Sequence, residues 1–379
     1  MYNLNNHYDN IWQVALQRFA NPRLDYFMPF GATGTENLEG KHVNLGNVDC
    51  TILCYDQEPL IKLFNADTFL EIQNRAWSDG RKWSILLNTE LDSDPKDDFL
   101  KRFRFIDCYY FHHGLAAADW FRGGQWWVNI KPVADRNIEH KFITFNRLTS
   151  GDRVYRSLLI NELYKHQKLD QGLISYSQDC PMGDNFDREI FRSKHIPDAL
   201  KLEAVSNLRK LDDNLRIDIQ GDIPNQSFNI SCIDECNSTF LYVVTETCFW
   251  GRKKHLTEKI FKPIVTLNPF LLVGCAHNLE YLRSYGFKTF GKWIDESYDT
   301  IEDDIERLTQ IGNEINRISN LSLYELKLMY YDMKDVLEYN RNWFYSTDFI
   351  RNVYSELVVN FNKACDELER RTSLESQRL

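Results

Sequence analysis

The sequence predicts an α/β protein of two domains, each built on a largely parallel sheet flanked by helices. Three observations carry that expectation. The chain of 379 residues is longer than one compact core usually supports. Between 50 and 290, short β-branched and aromatic runs alternate with segments of helical periodicity. Several of those runs end in polar or charged residues just before a helix begins, which is how doubly wound sheets place chemistry at their carboxyl edge.

Composition narrows the class. The chain is 43% hydrophobic and 26% charged, as globular domains are, and its aromatic share of 14% belongs mainly to the core. A formal charge of −10 disfavours a broad phosphate-tracking surface for nucleic acid. No run is long enough to span a bilayer, and the start, Met1-Tyr2-Asn3-Leu4, lacks a basic and then apolar leader. A cytoplasmic protein is expected. Nine cysteines without a CxxC pair are expected as reduced core thiols. Cys232, Cys236 and His255 lack a fourth ligand at a zinc spacing, so no metal is expected.

In chain order, 10–19 has helical periodicity, and 22–40, with Pro22, Pro29 and the glycines from Gly31 to Gly40, reads as loop. The first strand is 50–55. It runs into Asp56-Gln57-Glu58-Pro59, where Glu58 is either a cleft carboxylate or a first-turn helix acid. A second strand, 83–90, ends on Glu90. Asp92 and Asp94 after it form a DxD pair of the kind that holds a divalent ion. The same residues, with Pro95 and Asp97, also match a helix start. A third strand, 105–111, ends at His112 and His113. Adjacent residues of a strand face opposite sides, so one of the two histidines is expected at the cleft edge.

A polar stretch at 131–140 is the expected switch between the halves. The strand 141–145 then opens the second half, and Arg147, Arg153 and Arg156 surround the turn into a helix over 154–166. Planar guanidinium donors beside a helix N-terminus suit a diphosphate. Strands are expected at 172–177, 240–245, 270–273 and 288–290. Helices are expected at 198–211, at 277–285 closed by Gly286, and over 300–318, 322–344 and 347–371. Asp295 to Asp299 is either donor-adjacent or, the favoured reading, a cap for the next helix.

The most informative stretch is 239–290. A strand ends on Glu246, a basic loop follows, and His255-Leu256-Thr257-Glu258-Lys259 opens a helix. Thr257 as N-cap puts Glu258 and Lys259 in the first turn, where unpaired N–H groups and the dipole favour an anion. Lys259 adds a compact positive charge, and Glu246 and Glu258 can accept hydrogen bonds from ribose or sugar hydroxyls.

Glu246, Leu256-Thr257-Glu258-Lys259, an apolar run, a Pro-Phe strand and a glycine turn together resemble the donor-binding segment of the family 10 α1,3-fucosyltransferases. In that family a Phe-Glu-Asn strand end precedes Tyr-Val-Thr-Glu-Lys. His255 stands here for the tyrosine and Thr247 for the asparagine. The order of elements is similar over 50–290.

This resemblance implies a GT-B fold of two Rossmann-like domains facing a cleft, with C-terminal helices. An acceptor-side domain would span 1–140, a nucleotide-sugar domain 141–345 and a terminal helix 346–379. It implies an inverting glycosyltransferase moving a fucose-like sugar from a nucleotide-diphosphate donor, a GDP-sugar foremost, to a glycan hydroxyl, with no obligatory cofactor. Glu58 would be the base. Arg156 and Lys259, with Arg147 and Arg153 near, would hold the diphosphate, and Glu246, His255, Thr257 and Glu258 would complete the donor site. Glu90, His112 and His113 are the acceptor-side candidates. Rival readings are a transferase acting on modified DNA bases, a metal-dependent GT-A enzyme using Asp92 and Asp94, and a non-catalytic sugar-nucleotide-binding protein.

Overall fold

The structure, a computed structural model, describes residues 7–28, 37–41, 48–57, 59, 70, 73–74, 83–123, 129–180, 183–211, 215, 217 and 230–377. Its chain forms two compact units, Met1–Asp119 with Thr347–Leu379, and Trp120–Ser346. Each has its own sheet, so the predicted two-domain α/β architecture is observed.

In the first unit the strands are β1 (Pro22–Met28), β2 (Asn37–Lys41), β3 (Cys50–Cys54), β4 (Ser84–Asn88) and β5 (Phe105–Tyr109), in the order β2-β1-β3-β4-β5. All neighbours are parallel except the edge strand β2, which is antiparallel to β1. The expected loop at 22–40 is therefore partly a strand pair. β3 and β4 are buried along their whole length, as strands covered on both faces must be. Leu53, Tyr55, Leu86, Phe99, Phe103 and Phe105 pack into one core cluster. The long helix Thr347–Ser376 lies against β4 and β5 and belongs to this unit.

The second unit holds β6 (His140–Asn146), β7 (Gly172–Tyr176), β8 (Thr239–Thr245) and β9 (Phe270–Val273), all parallel, in the order β7-β6-β8-β9. β8 and β9 are wholly buried. After β6 the chain passes to β7 on one side, then returns to place β8 on the other. The gap between the carboxyl ends of β6 and β8 is thus the topological switch point, the usual ligand crevice of open α/β sheets.

Residues ahead of β6 are tied into this unit. Arg136 is buried and donates to the carbonyls of Lys131, Cys236, Thr266 and Leu267. Asn237 bonds the backbone of Asn129 and Lys131. These bonds explain why the second unit takes in residues 120–140, which the sequence assigns to the first domain.

Two further expectations are corrected. No strand forms at 288–290: the backbone of Lys288 donates to and accepts from the side-chain amide of Asn340, 2.8 Å each way, so a side chain takes the place of a ladder. The expected helix 322–344 is two helices, Leu323–Asp332 and Lys334–Tyr345. Gly286 does follow the helix Asn278–Ser284 with φ +87°, a left-handed conformation that suits glycine. Asp299 is a cap, as expected of its loop, but for the earlier helix: its carboxylate accepts from Leu279 and Glu280 N–H. Burial pushes that carboxyl above its ordinary range, against those bonds.

Candidate functional site

The loops after β6 and β8 and the helical turn that follows β8 line one cavity of about 160 Å³ in the second unit. Arg147, Leu148 and Arg156 come from the β6 side, and Glu258, Lys259 and Lys262 from the β8 side. Phe145, Tyr242, Val243, Val244 and Thr245 bring sheet residues, and Ile230, Ser231 and Cys236 another wall. Among the described residues, four cations thus face one carboxylate at the switch point. The volume is below that of pockets that enclose drug-sized ligands, about 300 Å³ and upward. Phe145 and Tyr242 lie 5.7 Å apart between ring centroids, giving part of the wall an aromatic surface.

Arg156 is held differently from a phosphate ligand. It is 4% exposed, and its terminal nitrogens donate to the carbonyls of Leu148 (2.9 Å), Thr245 (3.0 Å) and Glu246 (3.0 Å). Tyr155 also donates to the Glu246 carbonyl. The two residues saturate carbonyls at the end of β8 and fasten the post-β6 loop to it. Only Nε of Arg156 is buried without a hydrogen bond. Arg147 is exposed and lines the same cavity. Arg153, on a short 3-10 turn at Gly151–Val154, does not line it.

On the other side, Thr257 is the N-cap of a 3-10 turn, Glu258–Ile260, that leads into the helix Phe261–Thr266. The predicted cap is present, on a shorter turn. Its hydroxyl donates to Glu246 Oε2 at 2.6 Å and accepts from Lys259, and its N–H also meets the Glu246 carboxylate. Glu246 is fully buried, and it accepts from Thr247 N–H as well. It therefore clasps the loop after β8 instead of facing a ligand. Burial raises the pKa of this carboxyl, opposed by Lys259 and Thr257. His255, also fully buried, takes part through its backbone N–H, which donates to Asn278. Neither Glu246 nor His255 lines the cavity.

Glu258 and Lys259 do. The ammonium of Lys259 reaches Thr247 Oγ1 (3.2 Å), Thr257 Oγ1 (3.0 Å) and Glu258 Oε1 (3.1 Å). Burial acts to raise the Glu258 carboxyl, but Lys259 and Lys262 outweigh it and its pKa falls below the ordinary value. Lys262, absent from the sequence candidates, is the opposite case. Burial lowers it to about 8, Lys259 adds to the fall, and Glu258 opposes it. Its spacing of four residues from Glu258 and three from Lys259 is the signal that marks it.

In the first unit, Glu90 is fully buried and accepts from Ser93 Oγ at 2.6 Å, while its carbonyl accepts from Lys96. His112 and His113 do not end a strand. They begin the helix His112–Gly123, where both rings are buried and lie edge to face at 5.4 Å. Tyr110 donates to Asp56, and its oxygen lies 2.9 Å from His112 Nδ1, forming a buried carboxylate, phenol and imidazole series. Burial lowers the pKa of His112, opposed by Asp56. Ser93 caps the helix Asp94–Arg102 and Pro95 lies in its first turn, so Asp94 is a first-turn acid and Asp92 precedes it in a left-handed conformation, φ 46°. Glu58 lies outside the described residues.

Among the described residues, no group of three or more His, Cys, Asp or Glu side chains comes together to hold a metal ion. Nor is any helix there long and apolar enough to cross a membrane. No protein family, curated protein or solved structure matches this chain.

Proposed function

We propose that the chain is an inverting glycosyltransferase of the GT-B type, taking a fucose-like sugar from a nucleotide-diphosphate donor, a GDP-sugar foremost, to a glycan hydroxyl. One observation carries the reading: among the described residues, four cations and a single carboxylate line a cavity between the carboxyl ends of β6 and β8. Phosphate is the anion that rewards such a cluster, because arginine and lysine donors to phosphate make charge-assisted bonds. In a transfer that releases a nucleoside diphosphate, the same cations stabilise charge as it develops on the leaving group. Arg147, Lys259 and Lys262 take that role, and Arg156 holds the loops that carry them.

Glu258 accompanies the cations and is the remaining carboxylate for a ribose or sugar hydroxyl. The base is assigned to Glu58 on the sequence resemblance alone.

A thermal-shift panel of GDP-, UDP-, CMP- and dTDP-sugars tests the reading, since a ligand that binds only the folded state raises its stability. A GDP-sugar is expected to give the largest shift, and no shift with any nucleotide sugar would end the proposal. For the chemistry, Glu58→Gln is expected to keep the GDP-sugar shift while losing transfer to a glycan acceptor. Full transfer activity in that variant would place the base elsewhere.

A further inference from the structure

The cavity at the switch point has two kinds of wall. Cations stand at the strand ends, Arg147 after β6 and Lys259 after β8. Next to them along the strands the lining is apolar, with Phe145, Tyr242, Val244 and Ile230. Ile143 is the ladder partner of Tyr242, and side chains alternate along a strand, so Phe145, Tyr242 and Val244 share one face of the sheet.

Phe145 is where the cover of that face is open. β6 is an interior strand, between β7 and β8, and interior strands of a parallel sheet are covered on both faces. Its other apolar residues, Phe142 and Ile143, are fully buried, as is the whole of β8. Phe145 is only half-buried, and its ring lines the cavity beside that of Tyr242, 5.7 Å away between centroids. An apolar ring left partly uncovered forgoes hydrophobic burial that a flat ligand restores.

A ligand that suits both walls carries a planar aromatic group joined to an anion. A free phosphate or a sugar phosphate satisfies the cations and leaves the ring bare, whereas a nucleotide satisfies both. We propose that Phe145 is the surface on which the nucleobase of the donor stacks, with the phosphates at the strand ends. This rests on the donor-site reading above and adds to it the residue that distinguishes a nucleotide from other phosphates. A ring face accepts every base, so Phe145 supplies affinity for a nucleotide, and the choice among bases falls to other groups.

Calorimetry on the full chain with GDP and with inorganic pyrophosphate tests the assignment. GDP carries the base and the phosphates without the transferred sugar, and pyrophosphate carries the phosphates alone. Phe145→Leu keeps an apolar side chain and removes the ring. It is expected to weaken GDP binding about tenfold, as loss of one base-on-ring stack does, and to change pyrophosphate binding less than about twofold by the same measure. Phe145→Trp is expected to bind GDP at least as tightly as the wild type and to report the stack directly. GDP quenches the fluorescence of the added indole and pyrophosphate does not, once the response of the wild type is subtracted.

Unchanged GDP affinity in Phe145→Leu, an equal loss of GDP and pyrophosphate binding, or an added indole that GDP leaves unquenched would overturn the assignment while leaving the donor site standing. If the wild type binds neither GDP nor UDP, the donor-site reading falls and takes this assignment with it.

Discussion

Arg156 shows how a residue identified by charge can have its role set by geometry. Its position after a strand suggests a phosphate ligand, but its guanidinium is committed to three carbonyls at the ends of β6 and β8. Replacing it strands those buried acceptors, so Arg156→Met is expected to destabilise the fold by about 2–4 kcal/mol, from several charged hydrogen bonds and their unsatisfied partners. Urea unfolding measures this. An unchanged midpoint, with only nucleotide affinity lost, would return Arg156 to the role of direct ligand. Sequence alone conveys that arginines cluster here. It does not convey which of them the backbone claims, and Arg147 is the one left exposed.

At the scale of the element, the loop between β8 and the helix Phe261–Thr266 is organised by Thr257 and Glu246. The threonine caps the turn, donates to the buried carboxylate and orients Lys259. Thr257→Val keeps the shape and removes the hydroxyl, leaving Glu246 short of a bond and Lys259 N–H uncapped. A loss of about 1–3 kcal/mol is expected, with Thr257→Ser restoring most of it. Equal urea midpoints for wild type and Thr257→Val would contradict the clasp.

This cap was legible because threonine before Glu-Lys is a local signal. Central strands were legible too, since strands buried on both faces are continuous apolar runs. What failed were the elements whose pairing is not local. β1 carries the buried charge of Asp25 and β2 a glycine, Gly40, so neither resembles a strand in isolation. The run 288–290 resembles a strand but is paired to Asn340, far along the chain. His112 and His113 follow an apolar run with no break in pattern to show that a helix has begun.

For the whole molecule, overall charge and local charge have opposite signs. A chain of formal charge −10 keeps, among its described residues, four cations around one cavity with a single carboxylate among them. Net acidity repels polyanions at long range, while the proposed donor site would favour a small, highly charged ligand at short range. The two-domain α/β plan and the location of the second unit's site at a strand-to-helix edge followed from the alternation of elements. The fourth cation did not, because Lys262 lies inside an apolar helical run beside Pro263 and resembles a solvated position. Its spacing from Glu258 and Lys259 is the local signal that marks it, while only the folded chain brings it to the same cavity as Arg147.

In the proposed function the loops after β6 and β8 act on one phosphate chain. A double-mutant cycle in GDP binding tests it most directly, using Arg147→Gln, Lys259→Gln and the pair, each titrated by calorimetry. Two cations holding the same anion are coupled, so each single change is expected to weaken binding about tenfold or more. The double change is expected to depart from additivity by about 0.5 kcal/mol or more. Strictly additive losses, or no loss from either single change, would contradict it.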